Sequence, residues 1–195
     1  CTFVLANDID LSTVDNWTPI GDGYAFGGTF DGNGYTVSNL KINTTNNPTG
    51  LFGWTTGTIK NLGVENVNIT GASDVGGLIG KAAGTVSNCY TTGSVIMASY
   101  TTDSGGTAVV SDAGGLVGTN FGKIIDCYSE ANVTGDGNIV GGLVGYSSGD
   151  GIIRCYAAGN VSGKGYVGGL AGRAYCTVED SYSMGTVYGD FYEGG

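Results

Sequence analysis

Apolar and polar positions along this chain recur in blocks. The block Gly-Gly-Leu-aliphatic-Gly occupies residues 76–80, 114–118, 141–145 and 168–172, and a weaker copy at 49–53 precedes them. The block leucines, Leu51, Leu78, Leu116, Leu143 and Leu170, follow one another at steps of 27, 38, 27 and 27 residues. A second stretch follows each block: Thr85-Val86-Ser87-Asn88-Cys89-Tyr90, Lys123-Ile124-Ile125-Asp126-Cys127-Tyr128, Ile152-Ile153-Arg154-Cys155-Tyr156 and Thr177-Val178-Glu179-Asp180-Ser181-Tyr182. Thr58-Ile59-Lys60-Asn61-Leu62 and Thr36-Val37-Ser38-Asn39-Leu40 read as earlier copies. A third stretch closes each unit around Val95, Val133, Val161 and Val187. Each unit therefore predicts three short strands separated by Gly, Asn, Ser and Asp, the residues that turn a backbone.

A fixed period of this length is the mark of a stacked-repeat architecture. Three strands per ~27 residues describe one coil of a right-handed parallel β-helix, an all-β solenoid whose coils rise about 4.8 Å each. Roughly seven coils give a rod of ~35 Å. Its interior is then a set of columns: Leu78, Leu116, Leu143 and Leu170; Val86, Ile124, Ile153 and Val178; Val95, Val133, Val161 and Val187. The Gly-Gly pair serves a tight turn or a positive φ. Asn39, Asn61 and Asn88, followed by Asp126, Arg154 and Asp180, read as a ladder at a turn. A propeller or trefoil is the alternative, but propeller blades run to about 40 residues or more.

Residues 1–195 read as one solenoid, with N-terminal coils over 1–49 and repeats over 50–195. The long step places an insertion around 97–113, and insertions in solenoids often carry recognition. Gly194-Gly195 begins another block that the sequence does not finish. The expectation is a fragment of a longer array, or a last coil covered by something else, with end-to-end or side packing against further repeats.

Composition sharpens the picture. The 39 Gly against 2 Pro, without a collagen triplet, mean many tight turns. Charged residues are only 12% of the chain. A net charge of −10 argues against nucleic acid and anionic membranes as partners. No apolar run approaches the ~20 residues of a membrane span, and no signal peptide is visible ahead of Cys1-Thr2-Phe3-Val4. Cys89, Cys127 and Cys155 share a position with Leu40, Leu62 and Ser181, so they read as buried thiols pointing one way rather than as disulfides. Cys176 falls where other copies have Gly84, Gly122 and Gly151.

These blocks resemble the GLUG repeats of bacterial surface proteins, on Gly77-Leu78-Ile79-Gly80, Gly115-Leu116-Val117-Gly118, Gly142-Leu143-Val144-Gly145 and Gly169-Leu170-Ala171-Gly172. The runs 5–11, 17–21 and 28–34 resemble the segment that often precedes those repeats. The resemblance implies an extracellular module on the bacterial surface, adhesive or structural and non-catalytic, with a host or matrix glycan or protein as partner. Such repeats also occur beside the catalytic domain of IgA-cleaving metallopeptidases. A zinc peptidase of that kind needs His-Glu-x-x-His, and this chain has no His. The remaining readings are a carbohydrate-active β-helix enzyme and a pure spacer in a larger surface peptidase or adhesin.

Three sets of residues are candidates for chemistry. Tyr90, Tyr128, Tyr156 and Tyr182 form an outward aromatic column, which either packs on itself or offers ring faces to sugars. Tyr100, in the insertion, joins them as a candidate ligand contact. Asp31 and Asn33 begin a stretch like a calcium loop, with Asp8 and Asp10 nearby, although Asx-rich turns form without any ion. Asp22, Asp31, Asp126 and Asp180, with Arg154, are the carboxylates and base a glycan-cleaving enzyme would draw on; Asp126, Arg154 and Asp180 also read as a plain charge ladder. The Asn-x-Ser/Thr sequons at Asn16, Asn43, Asn68, Asn132 and Asn160 would be glycosylated in a eukaryotic secreted protein; in a bacterial one, the favoured reading, they follow from an Asn/Thr-rich composition.

Overall fold

The computed structural model describes residues 1–98, 111–136 and 139–190, together with the backbone of 192–194. The described residues contain no helix, and all their strand pairings are parallel. The chain is a β-solenoid of about six turns with ~27-residue spacing. The longest stack holds seven strands: Thr2–Val4, Thr29–Asp31, the start of Thr58–Gly71, the start of Thr85–Met97, Lys123–Ile125, Gly151–Ile153 and Val178–Glu179. Two five-stranded sheets complete the coil. One contains Val75–Gly76, Asp112–Gly114, Ile139–Gly141, Tyr166–Gly168 and Tyr192–Gly194; the other contains Phe52–Thr55, Ile79–Ala82, Val117–Asn120, Val144–Ser147 and Ala171–Ala174.

The core is built from like residues at like positions. Leu78, Leu116 and Leu143 are fully buried, as are Val95 and Val133. Val95, Val133, Val161 and Val187 stand in register. The Val86 column runs through Ile124 and Ile152 to Val178, so Ile152 points inward and Ile153 does not. The expected Ile153 is displaced because the Gly149–Gly151 turn carries one residue more than its neighbours: Gly149 packs on Gly122 while Gly151 pairs with Lys123. Gly149 thus holds the column position expected of Gly151.

The N-terminal coils are also phased differently from the expectation. Thr36, Val37 and Ser38 pair with Gly63, Val64 and Glu65, while Thr29, Phe30 and Asp31 pair with Thr58, Ile59 and Lys60. Leu40 therefore lies beside Val67 and outside the cysteine column, and Asn39 stacks on Asn66 rather than Asn61, at 2.6 Å. Two Asn ladders result. The other runs from Asn88 to Asn61 (3.3 Å) and from Asn61 to Asp31 (3.0 Å). Asn61, Asn88, Asp126, Arg154 and Asp180 all adopt positive φ, between 49° and 54°. This left-handed residue bends the strand between its first and second segments, and Asn and Asp tolerate that conformation best.

Of the two reasons expected for the motif glycines, the tight turn holds and the positive φ does not, since none of them shows it. They are places of close approach. A Cβ on Gly76 would lie 2.1 Å from the Ile79 carbonyl oxygen, and one on Gly77 would lie 2.4 Å from that of Gly115 in the next coil. A small residue on the long sheet fits each second glycine: Thr91 against Gly77, Ser129 against Gly115, Ala157 against Gly142. The Gly-Gly-Leu turn thus presses two walls of the coil together while its leucine fills the space between them.

Candidate functional site

The four tyrosines stand as expected, in strict register on the long sheet. Tyr90, Tyr128 and Tyr156 are half-buried and Tyr182 is exposed. The rings are parallel to within 2° to 9°, at centroid spacings of 4.8, 4.7 and 5.5 Å. Each ring between Tyr90 and Tyr182 is covered on both faces by its neighbours, and Tyr90 itself rests on Gly63, where a Cβ would lie 2.4 Å from the ring. The Tyr90 hydroxyl donates to Glu65 at 2.5 Å, and burial together with that carboxylate raises its phenol above the usual range. The column offers edges and hydroxyls to solvent, with most ring faces occupied. Tyr100 lies outside the described residues.

Asp31 is similarly engaged. Its Oδ1 accepts from the Asn33 backbone N–H (2.8 Å) and the Asn61 amide (3.0 Å), and Lys60 Nζ lies 3.1 Å from Oδ2. The Asn61 hydrogen bond, chiefly, holds its carboxyl below the usual range. The Asn33 amide points to the Leu5 carbonyl at 3.4 Å. Among the described residues no group of three or more His, Cys, Asp and Glu side chains is placed to hold a metal ion. Asp126 and Arg154 form a two-point ion pair at 2.6 and 2.7 Å, a ladder rung across adjacent coils.

The cysteine column is buried and reduced. The left-handed residue before each cysteine interrupts the strand ladder, and the side chain of the next coil meets the backbone N–H left there. Cys89 N–H donates to Cys127 Sγ at 3.4 Å, and Cys155 N–H donates to Ser181 Oγ at 3.0 Å. That explains why Ser replaces Cys at this position. Burial pushes the Cys127 thiol well up, so it is no nucleophile.

A different face gathers groups that the repeat leaves unmatched. Three residues after each motif leucine, Trp54, Lys81, Thr119, Tyr146 and Arg173 stand in register on the outer side of one short sheet. Four residues before the leucine, Asp74 and Asp112 occupy equivalent positions in adjacent coils, followed by Ile139 and Tyr166. A pocket of about 440 Å³ opens between the two columns, lined by Asp74, Lys81, Asp112, Thr119, Phe121, Ile139, Tyr146 and Arg173. Lys81 Nζ sits over Trp54 and Phe121 at 5.5 and 5.4 Å, and the Arg173 guanidinium over Tyr166 and Tyr175 at 5.0 and 4.8 Å. The rings of Phe121, Tyr146 and Tyr175 are tilted by 58° to 59°, so they do not cover one another as the tyrosine column does.

At the floor, Thr119 Oγ1 lies 2.6 Å from Asp74 Oδ1 and 2.8 Å from Asp112 Oδ2. One hydroxyl carries one proton, so it donates to only one carboxylate. The other contact needs a proton from the acid. Burial, the largest cause, and the Asp74 charge push Asp112 up to about 6, against the Thr119 hydrogen bond. A protonated Asp112 donating to Thr119, which donates to Asp74, makes both contacts hydrogen bonds. Asp112 Oδ1 remains buried with no hydrogen-bond partner among the described residues. The leucine, valine and tyrosine columns do not point to this face, although a signal is present: the position three residues after each leucine changes chemistry in every coil.

The GLUG motif matches the chain at residues 71–96, 110–134 and 163–188, all within the β-solenoid. The copy between the second and third matches keeps the same register. Over 108 residues, 47% of the chain, it is 38% identical to halomucin of Haloquadratum walsbyi, of which the match spans 1%. Its fold is similar to that of a Bacteroides ovatus protein named "putative immunoglobulin A1 protease", with a TM-score of 0.62 and 22% identity, over 100% of this chain and 77% of that one.

Proposed function

We propose that this solenoid is an adhesive, non-catalytic module of a bacterial cell-surface or secreted protein. The GLUG repeats and the halomucin relative fit a surface structural module. The observation that carries the adhesive part is the contrast between faces. Most of the rod satisfies its own groups from coil to coil. One face instead collects exposed rings, two cations held over rings rather than ion-paired among the described residues, and a pocket with an unpartnered acceptor. Protein surfaces seldom leave such groups together unless something covers them.

The test is a screen of the folded chain against glycans and matrix proteins, with calcium and with chelator. Saturable binding to one class supports adhesion. No binding from protein shown to be folded supports the spacer reading. Calcium dependence would draw attention to Asp31 and Asn33, where Lys60 already serves as the counter-ion.

A second reading, a carbohydrate-active enzyme, is favoured by one observation: paired carboxylates and basic residues share the pocket. Glycoside hydrolysis sets two carboxyl groups on either side of the scissile bond. Here both are tied to the same hydroxyl, and Asp112 is 5% exposed. That arrangement suits a rigid binding floor better than an acid and a nucleophile flanking a sugar. Release of reducing ends from a bound glycan would overturn the non-catalytic reading.

A further inference from the structure

We propose that the pocket bounded by Asp74, Asp112, Thr119, Lys81, Tyr146 and Arg173 binds an acidic sugar residue, a pyranose carrying a carboxylate. The inference rests on the adhesive reading and names its site and ligand class.

Three features of the pocket make separate demands. The floor asks for a hydrogen-bond donor, because Asp112 Oδ1 is buried without a partner, and a buried unsatisfied acceptor is costly. A sugar hydroxyl supplies that donor once the Asp112 carboxyl turns towards the pocket it lines. The middle is apolar and aromatic, lined by Ile139, Phe121 and Tyr146. A pyranose presents a C–H face to such a surface while its hydroxyls point sideways. The rim asks for an anion. Lys60, Arg154 and Lys164 each neutralise an aspartate; of the four cations without an ion pair among the described residues, Lys41, Lys81, Lys123 and Arg173, two are held over rings, Lys81 and Arg173. Two of the seven Lys and Arg residues in a chain of charge −10 thus converge on one pocket. Ring stacking fixes their heads without consuming their charge, leaving them to meet a carboxylate.

The acid pair at the floor does not repel such a ligand as two full charges would. The single Thr119 proton requires a second proton between Asp74 and Asp112 for both contacts to be hydrogen bonds, which leaves one negative charge, on the Asp74 side. A neutral sugar satisfies the floor and the middle but leaves the rim unanswered. A simple anion satisfies the rim alone.

The test is calorimetric titration of the whole chain at pH 5.5 with tetragalacturonate and 3′-sialyllactose, and with lactose as the neutral control. The expected result is binding of at least one acidic probe at least tenfold tighter than lactose. Lys81→Gln combined with Arg173→Gln should abolish that preference, and Asp112→Ala should weaken binding of the same probe by about tenfold. Circular dichroism confirms that each variant is folded, and Tyr128→Phe should leave binding unchanged. Equal affinity for acidic and neutral sugars overturns the proposal. So does an acid preference that survives the double variant; the chain would then be an adhesin that binds elsewhere. Binding of none of the three sugars overturns the site, and the adhesive reading then stands or falls on the wider glycan and protein screen.

Discussion

The tyrosine column and the Trp54-to-Arg173 column are both outward-facing, one residue per coil, on the same rod. They differ in what repetition does to them. In the first, the same residue recurs, so each ring finds its identical neighbour 4.7 to 5.5 Å away and stacks on it. In the second, the register is equally strict, but the residues run Trp, Lys, Thr, Tyr, Arg. Such neighbours cannot form a uniform ladder. They leave tilted rings, free charge and a pocket. In a solenoid, a position that repeats exposes little unmet chemistry; a position that stops repeating, while its backbone continues, is where a ligand can be recognised.

The largest effect should come from the core that both faces share. Leu116 is fully buried at the motif turn, and Leu116→Ala should destabilise the chain by about 2–5 kcal/mol in urea unfolding. Both faces should lose stability together, because neither stands without the turn.

Asp112→Asn separates them by pH. The folded state holds Asp112 near 6, facing Asp74, Lys81 and Arg173 around the pocket. A carboxyl raised in the folded state costs nothing below its unfolded value near 4. The cost grows as pH rises towards 6 and is constant above. A shift of that size corresponds to about 3 kcal/mol. The variant should therefore match the parent at pH 4 and be more stable at pH 7.5, by up to that amount. A parent whose urea midpoint does not fall between those pH values would contradict the shared-proton floor.

Tyr128→Ala removes two stacked contacts and should cost about 1–3 kcal/mol, at roughly 0.5–1.5 per aromatic pair. Sugar binding by the folded variant should be unchanged. Arg154→Gly gives the smallest effect. It relieves a left-handed non-glycine residue (φ 51°) and loses an exposed ion pair to Asp126. The two terms are each about 1 kcal/mol or less and opposite in sign, so the unfolding midpoint should hardly move.

Much of the fold was legible because core packing repeats. The leucine block, the valine column and the tyrosine column can be read from spacing alone, and the structure keeps them in register. Phase was lost where two registers looked equally good. Thr36-Val37-Ser38-Asn39-Leu40 mimics Thr58-Ile59-Lys60-Asn61-Leu62, yet Val37 pairs with Val64, which restores the 27-residue step. Ile152 and Ile153 are the same residue type, and only the extra residue in the turn before them decides which faces inward. The pocket was hidden for a different reason. Asp74 and Asp112 are adjacent only across the 38-residue step, so sequence separation concealed the carboxylate pair that stacking creates.

The measurement that tests the account most directly is an NMR titration of isotope-labelled chain with tetragalacturonate, following backbone amides. The account predicts shifts clustered at Asp74, Lys81, Asp112, Thr119, Phe121, Tyr146 and Arg173, with Tyr90, Tyr128 and Tyr156 unmoved. Shifts centred on the tyrosine column, with the pocket silent, would contradict it.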